Sequence, residues 1–205
     1  MARAKIRFTY KDYLQLPEDK RYELIEGEFF MVPSPSYSHQ TISANLFRIL
    51  DNYIRTHELG EVRYAPLDVV LSEENILQPD ILFICKERLD IITDKNIQGA
   101  PDLVIEILSS ATAERDRGLK KKLYAKFGVR EYWLVDPDKE TIEVVTLAEE
   151  GFESIKAYQG GEILQSPLLK GIPLNITEIF SSSIRGARLQ WGQDVQLEPQ
   201  GKGQR

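Results

Sequence analysis

Two acidic side chains interrupt runs that are otherwise apolar: Asp80 in Pro79-Asp80-Ile81-Leu82-Phe83-Ile84, and Glu106 in Leu103-Val104-Ile105-Glu106-Ile107-Leu108. Carboxylates rarely enter a strand core unless a partner offsets their desolvation. A single acid of this kind is most simply a strand-end group, solvated or paired with an arginine. Two in neighbouring strands suggest a shared task, and the task open to paired carboxylates is to hold a hard divalent cation through oxygen.

The helical pattern that follows supplies a cationic partner. At about 100° per residue, with Leu119 at zero, Leu123 falls near 40°, Phe127 near 80° and Tyr124 near 140°, which defines an inward arc. Asp116 falls near 60° and Lys120 near 100°, inside that arc, whereas Lys121 and Lys122 fall near 200° and 300°. Lys121 and Lys122 therefore form a solvated basic face. Lys120 either snorkels to water along apolar surface or meets the inward acids, because an unpaired buried ammonium would lose its proton. Two acids and a lysine beside a cleft suit phosphodiester hydrolysis: the acids hold Mg²⁺, with Mn²⁺ as its substitute, the metal activates water, and the lysine offsets developing negative charge. The Ile107 carbonyl is expected to complete the inner shell beside Asp80 and Glu106.

Other candidates are weaker. Asp102 follows Pro101 but stands four residues before Glu106, about 13 Å along a strand, too far to share one metal. His39 is placed to orient water or phosphate, or to cap a helix. Glu23, Glu26 and Glu28 offer an outer metal ligand or simply solvated turn charge. Arg115 and Arg117 are placed to bind phosphate or to remain ordinary surface charge.

These residues need a scaffold. Thr9 caps a short opening helix that Pro17 stops. Two β-prone runs flank Glu26-Gly27 as a hairpin. Ile42, Leu46, Ile49, Leu50, Tyr53 and Ile54 recur at spacings of three and four and predict a long amphipathic helix over 37–58. Strands are predicted over 62–71, 78–84 and 102–108, the last two buried on both faces, then a helix over 113–127 closed by Gly128, then strands over 131–135, 142–147 and 152–158. The order predicts a mixed α/β (α+β) fold with a central mixed sheet flanked by helices. One domain over 1–184 is expected, followed by a mobile tail over 185–205 that lacks apolar periodicity.

Composition narrows the function. With 205 residues the chain suits one domain. A net charge of −6 and a pI near 5.1 disfavour a broadly basic nucleic-acid surface, so DNA contact needs a local patch. The one cysteine, Cys85, with His39 and His57, cannot build a structural zinc site. No run reaches the roughly 20 apolar residues of a membrane span, and charges occupy the N-terminus where a signal peptide would be apolar, so a cytoplasmic location without membrane contact is expected.

The acid and lysine pattern resembles the PD-(D/E)XK nuclease superfamily, with Pro79-Asp80 and Glu106 in place and Leu108 where the lysine would stand. More particularly, Tyr22-Glu23-Leu24-Ile25-Glu26-Gly27-Glu28, Ser34-Pro35-Ser36 with His39, Val104-Ile105-Glu106-Ile107-Leu108-Ser109, Asp116-Arg117-Gly118-Leu119-Lys120 and Glu131-Tyr132-Trp133-Leu134-Val135-Asp136-Pro137 resemble the Uma-type endonucleases, over about 10–147. That resemblance implies a restriction-endonuclease-like fold, a lysine moved from the strand to the next helix at Lys120, and Mg²⁺-dependent cleavage of DNA. Cutting both strands implies a homodimer. The alternative is an inert nuclease-fold protein serving as a nucleic-acid or protein interaction module; a small-molecule metal hydrolase would leave Lys120 without a special role.

Overall fold

The structure is a computed structural model that describes residues 6–17 and 20–181; the expected tail over 185–205 lies outside the described residues. Its first helix, α1 (Tyr10–Tyr13), is held by a capping box between Thr9 and Asp12. Strands β1 (Tyr22–Ile25) and β2 (Glu28–Met31) form the predicted hairpin, and Glu26 and Gly27 both have positive φ, 50° and 75°, as a type I′ turn requires.

Helix α2 (Tyr37–Thr56) buries Ile42, Leu46, Leu50 and Ile54 along one stripe. Each of these side chains contributes roughly 2 kcal/mol by leaving water. Their partners are Val62, Ile81, Phe83, Leu103, Ile105, Ile107 and Trp133, on one face of a six-stranded sheet. That sheet contains β3 (Gly60–Tyr64), β6 (Ile81–Cys85), β8 (Leu103–Ile107), β9 (Glu131–Asp136), β10 (Thr141–Ala148) and β11 (Gly151–Tyr158) in the order β11-β10-β9-β8-β6-β3. Its pairings are antiparallel except β8 with β9, so it is mixed.

A second sheet, β2-β1-β5-β4-β7, joins the hairpin to β4 (Val69–Ser72), β5 (Asn75–Leu77) and β7 (Ile97–Gln98). This corrects one expectation and trims another: 62–71 is not one strand but the end of β3 and most of β4, and the strand expected over 78–84 begins only at Ile81. Pro66 and Pro79 interrupt them. Proline has no N–H to donate to a ladder, so the chain leaves one sheet at each and enters the other. The Ala65 N–H still donates to the Asp80 carbonyl at 3.0 Å, so both crossings lie side by side.

The predicted helix over 113–127 is observed with a change of pitch. It runs as α3 (Ala113–Arg115), a π turn (Asp116–Lys120) and α4 (Lys121–Lys126), ending at Gly128 with φ of 87°. Its Leu123 and Tyr124 pack with Val104, Leu108, Tyr132 and Leu134 on the sheet face opposite α2, together with Ile25 and Leu77 of the second sheet. Glu106 belongs to this second face by strand alternation.

A buried carboxylate ties the C-terminal part of this body to the sheet. Glu131 accepts hydrogen bonds from Trp133 Nε1 at 2.6 Å, Ser166 Oγ at 2.7 Å and the Leu168 N–H at 2.8 Å. Burial pushes its carboxyl above the usual range, and the donors act against that shift. Replacing Glu131 by alanine strands these donors and is expected to cost about 3 kcal/mol in a urea unfolding titration. A loss below about 0.5 kcal/mol, the level of an ordinary surface change, would refute the clamp.

Candidate active site

Asp80 follows the Pro79 crossing, immediately before β6. The register pairs Ile81 with Ile105 and Leu82 with Val104. Continued by one residue, it sets Asp80 opposite Glu106, on the same sheet face. The Ile107 N–H donates to Asp80 Oδ2 at 2.7 Å, and His39 Nε2 lies 3.2 Å from the same oxygen. His39 is held in the first turn of α2, where Ser36 Oγ accepts its N–H at 3.2 Å.

Glu106 faces the π turn. Lys120 Nζ is 3.0 Å from Glu106 Oε1, and Tyr124 donates its hydroxyl to that oxygen at 2.8 Å. The ammonium also lies 2.8 Å from Glu23 Oε1 and 3.4 Å from Asp116 Oδ1. Lys120 is only 4% exposed, whereas Lys122 is exposed and Lys121 half-buried, so snorkelling does not describe Lys120. The Tyr132 hydroxyl donates to the Asp116 carbonyl at 3.1 Å, fixing the π turn to the sheet.

Charge is concentrated here. Burial drives the Glu106 carboxyl well above the usual carboxylate range, with Lys120 opposing and Asp116, Asp80 and Glu23 adding to the rise. Burial also raises Asp116, again against Lys120. For Lys120, burial alone favours the neutral amine, but Glu106, Glu23 and Asp116 outweigh it and hold the ammonium well above its ordinary value.

These groups border a cleft of about 760 Å³ between the start of α2, the loops at 33–36 and 109–112, and Pro137-Asp138. Among the described residues, the buried atoms His39 Nδ1 and Gln78 Oε1 along it have no hydrogen-bond partner, and Asp116 Oδ1 has the Lys120 ammonium at 3.4 Å. Among the described residues no group of three His, Cys, Asp or Glu side chains forms a cation cage. The Lys120 ammonium fills the space between Glu23, Glu106 and Asp116. Mg²⁺ needs no such cage, since it is typically held by one or two carboxylates with water and substrate phosphate. Hydrogen bonds to Asp80 gather on Oδ2 and those to Glu106 on Oε1, which leaves each carboxylate a second oxygen. This hard-oxygen donor set fits such an ion.

The structure thus brings together Asp80, Glu106, Lys120, His39 and Glu23, with Ile107 entering through its N–H. Arg115 reaches the cleft, 3.7 Å from Glu23 Oε2 and over the Phe30 ring. Arg117 does not: it pairs with Asp136 at 2.9 Å and Glu143 at 3.5 Å. Glu26 lies in the hairpin turn, where its N–H donates to Asn75, and Glu28 opens β2. Asp102 is fully buried at the far end of β8, bound by Arg88, Arg130 and the Cys85 N–H, a structural knot. Two contributors escaped the sequence reading. Tyr124 had the right helical angle but counted only as apolar, and Gln78 carries no local signal.

The sequence matches the family model described as "Uma2: Putative restriction endonuclease" over residues 10–177. It is 29% identical over 175 residues to "Uncharacterized protein slr1290" of Synechocystis sp., covering 82% of this chain and 88% of that protein. To "Uncharacterized protein sll1609" of the same organism it is 28% identical over 132 residues, 62% of this chain and 74% of that one. Among solved structures, a crystal structure from Anabaena variabilis, described as a "putative nuclease belonging to DUF820", superposes with a TM-score of 0.72 over 84% of this chain and 97% of that chain. Sequence identity there is 23%, and the likeness is one of fold.

Proposed function

This chain belongs to the Uma2 family, and on that premise we propose that it is a cytoplasmic, Mg²⁺-dependent endonuclease that hydrolyses phosphodiester bonds in DNA and acts as a homodimer. The carrying observation is the alignment of Asp80 with Glu106 across adjacent strands, with the Lys120 ammonium 3.0 Å from Glu106. Asp80, Glu106 and the Ile107 carbonyl would hold the cation, which supplies Lewis acidity toward the phosphate and lowers the pKa of water.

The protein's own groups do the rest. Tyr124 and Lys120 fix the rotamer of Glu106 through Oε1, and the Ile107 N–H and His39 fix that of Asp80 through Oδ2. The Lys120 ammonium, pre-set by its carboxylates, offsets negative charge building on the reacting phosphate without reorganisation. The lining carries five carboxylates, Glu23, Asp80, Glu106, Asp116 and Asp138, against three cations, Arg21, Arg115 and Lys120. Such a wall repels a polyanion until a divalent cation is bound, which supports metal dependence.

The test is incubation of the purified protein with supercoiled plasmid and Mg²⁺ or Mn²⁺, with and without chelator. Nicked and linear products that vanish on chelation are expected. DNA binding without any cleavage under either metal would favour the inert interaction module instead.

A further inference from the structure

The shortest contact of the Lys120 ammonium is made with Glu23, at 2.8 Å, ahead of Glu106 at 3.0 Å and Asp116 at 3.4 Å. Glu23 belongs to β1, in the other sheet, and is only 2% exposed. Its Oε1 also accepts the Gln78 N–H at 3.0 Å, two residues before Asp80. One carboxylate oxygen therefore joins the lysine to the crossing that delivers Asp80.

A lysine ammonium has three donors on a flexible stem, and three carboxylates surround this one. They are not equivalent. Asp116 rides on the same helix as Lys120 and cannot fix the ammonium relative to the sheet. Glu106 holds it from the central sheet at one oxygen, which Tyr124 shares. Glu23 pulls from a third element, so the ammonium stands between the acids.

We propose that Glu23 is the positioning residue of Lys120, a role that rests on the nuclease reading of the site. It holds the ammonium between the hairpin and the sheet, shared among Glu23, Glu106 and Asp116. In this role Glu23 acts through Lys120 and not on the phosphate or the metal itself.

The test combines steady-state cleavage of plasmid with Mn²⁺ calorimetry and thermal unfolding, on wild type, Glu23→Gln, Glu23→Ala, Lys120→Ala and the Glu23→Ala/Lys120→Ala double variant. Glu23→Ala is expected to lower kcat about 30- to 100-fold with KM within about twofold, and to lower it no further once Lys120 is gone. Glu23→Gln retains an acceptor at Oε1 and should recover part of the loss; it also serves if Glu23→Ala fails to fold. Mn²⁺ affinity should stay within about threefold, since no metal ligand is removed and the loss falls on the transition state. Losses that multiply in the double variant would overturn the proposal, as would Mn²⁺ affinity falling in step with kcat, or a lowered melting temperature with kcat unchanged. If wild type cleaves nothing, the nuclease reading fails on its own. The unfolding cycle then still reads the pair, and absence of coupling between positions 23 and 120 would overturn the link.

Discussion

Replacing Lys120 by alanine is expected to slow plasmid cleavage about 10²- to 10³-fold, the scale of losing a preorganised charge-stabilising group. Lys121→Ala and Lys122→Ala should each change the rate by less than about threefold, because those side chains lie off the site. Stability should fall as well. Removing one partner of a buried ionic cluster costs about 3–5 kcal/mol, and Glu106 and Asp116, left behind, lower that cost by taking up protons. The sign follows from the raised Glu106 and Asp116 carboxyls. Their folded forms bind protons more tightly than the unfolded chain, so the contribution is present in acid and lost as pH rises through the folded values. Without Lys120 both move higher still. Urea titrations should therefore show a smaller penalty at acidic than at neutral pH. Equal, small rate losses in all three variants would instead make the lysines a solvated phosphate-attracting face.

Asp80→Asn should be equally damaging to chemistry and mild for the fold. The asparagine carbonyl can still accept the Ile107 N–H, and Asp80 is only partly buried, so the melting temperature should shift little. Cleavage should fall about 10³-fold, equivalent to about 4 kcal/mol of transition-state stabilisation. Calorimetry with Mn²⁺ separates the causes. A cation affinity equal to that of wild type would remove Asp80 from the ligand set, whatever happens to the rate.

The parts of the molecule that sequence made legible are those governed by periodicity. The stripe of Ile42, Leu46, Leu50 and Ile54 predicted α2, and the angle of Lys120 separated it from Lys121 and Lys122. The misplaced acids Asp80 and Glu106 were visible because desolvation makes such positions costly, wherever the strands lie. What remained hidden depends on which sheet a strand joins. Residues 62–71 and 78–84 are strand-like on either side of a proline, and although proline marks a break, nothing local states that Pro66 and Pro79 transfer the chain between sheets. Glu23 stood out only as an outer ligand or turn charge, because its meeting with Lys120 spans almost a hundred residues and exists only once the hairpin is docked. The strand-end acid Asp102 shows the converse case, an acid in an apolar run whose partners, Arg88 and Arg130, make it structural.

The π turn at Asp116–Lys120 takes one residue more per hydrogen-bonded ring than the helix on either side. That residue is taken up by the wider ring, so the helix on either side keeps its phase. A chain one residue shorter at Gly118, where a Cβ would meet nothing within 4 Å, would close the ring as an ordinary α turn and leave both flanks near their present orientation. The same loss in a regular stretch of the helix would turn everything upstream by about 100°. The turn is in effect slack in an otherwise taut cord, the one stretch of this helix where a residue can be gained or lost without twisting its ends.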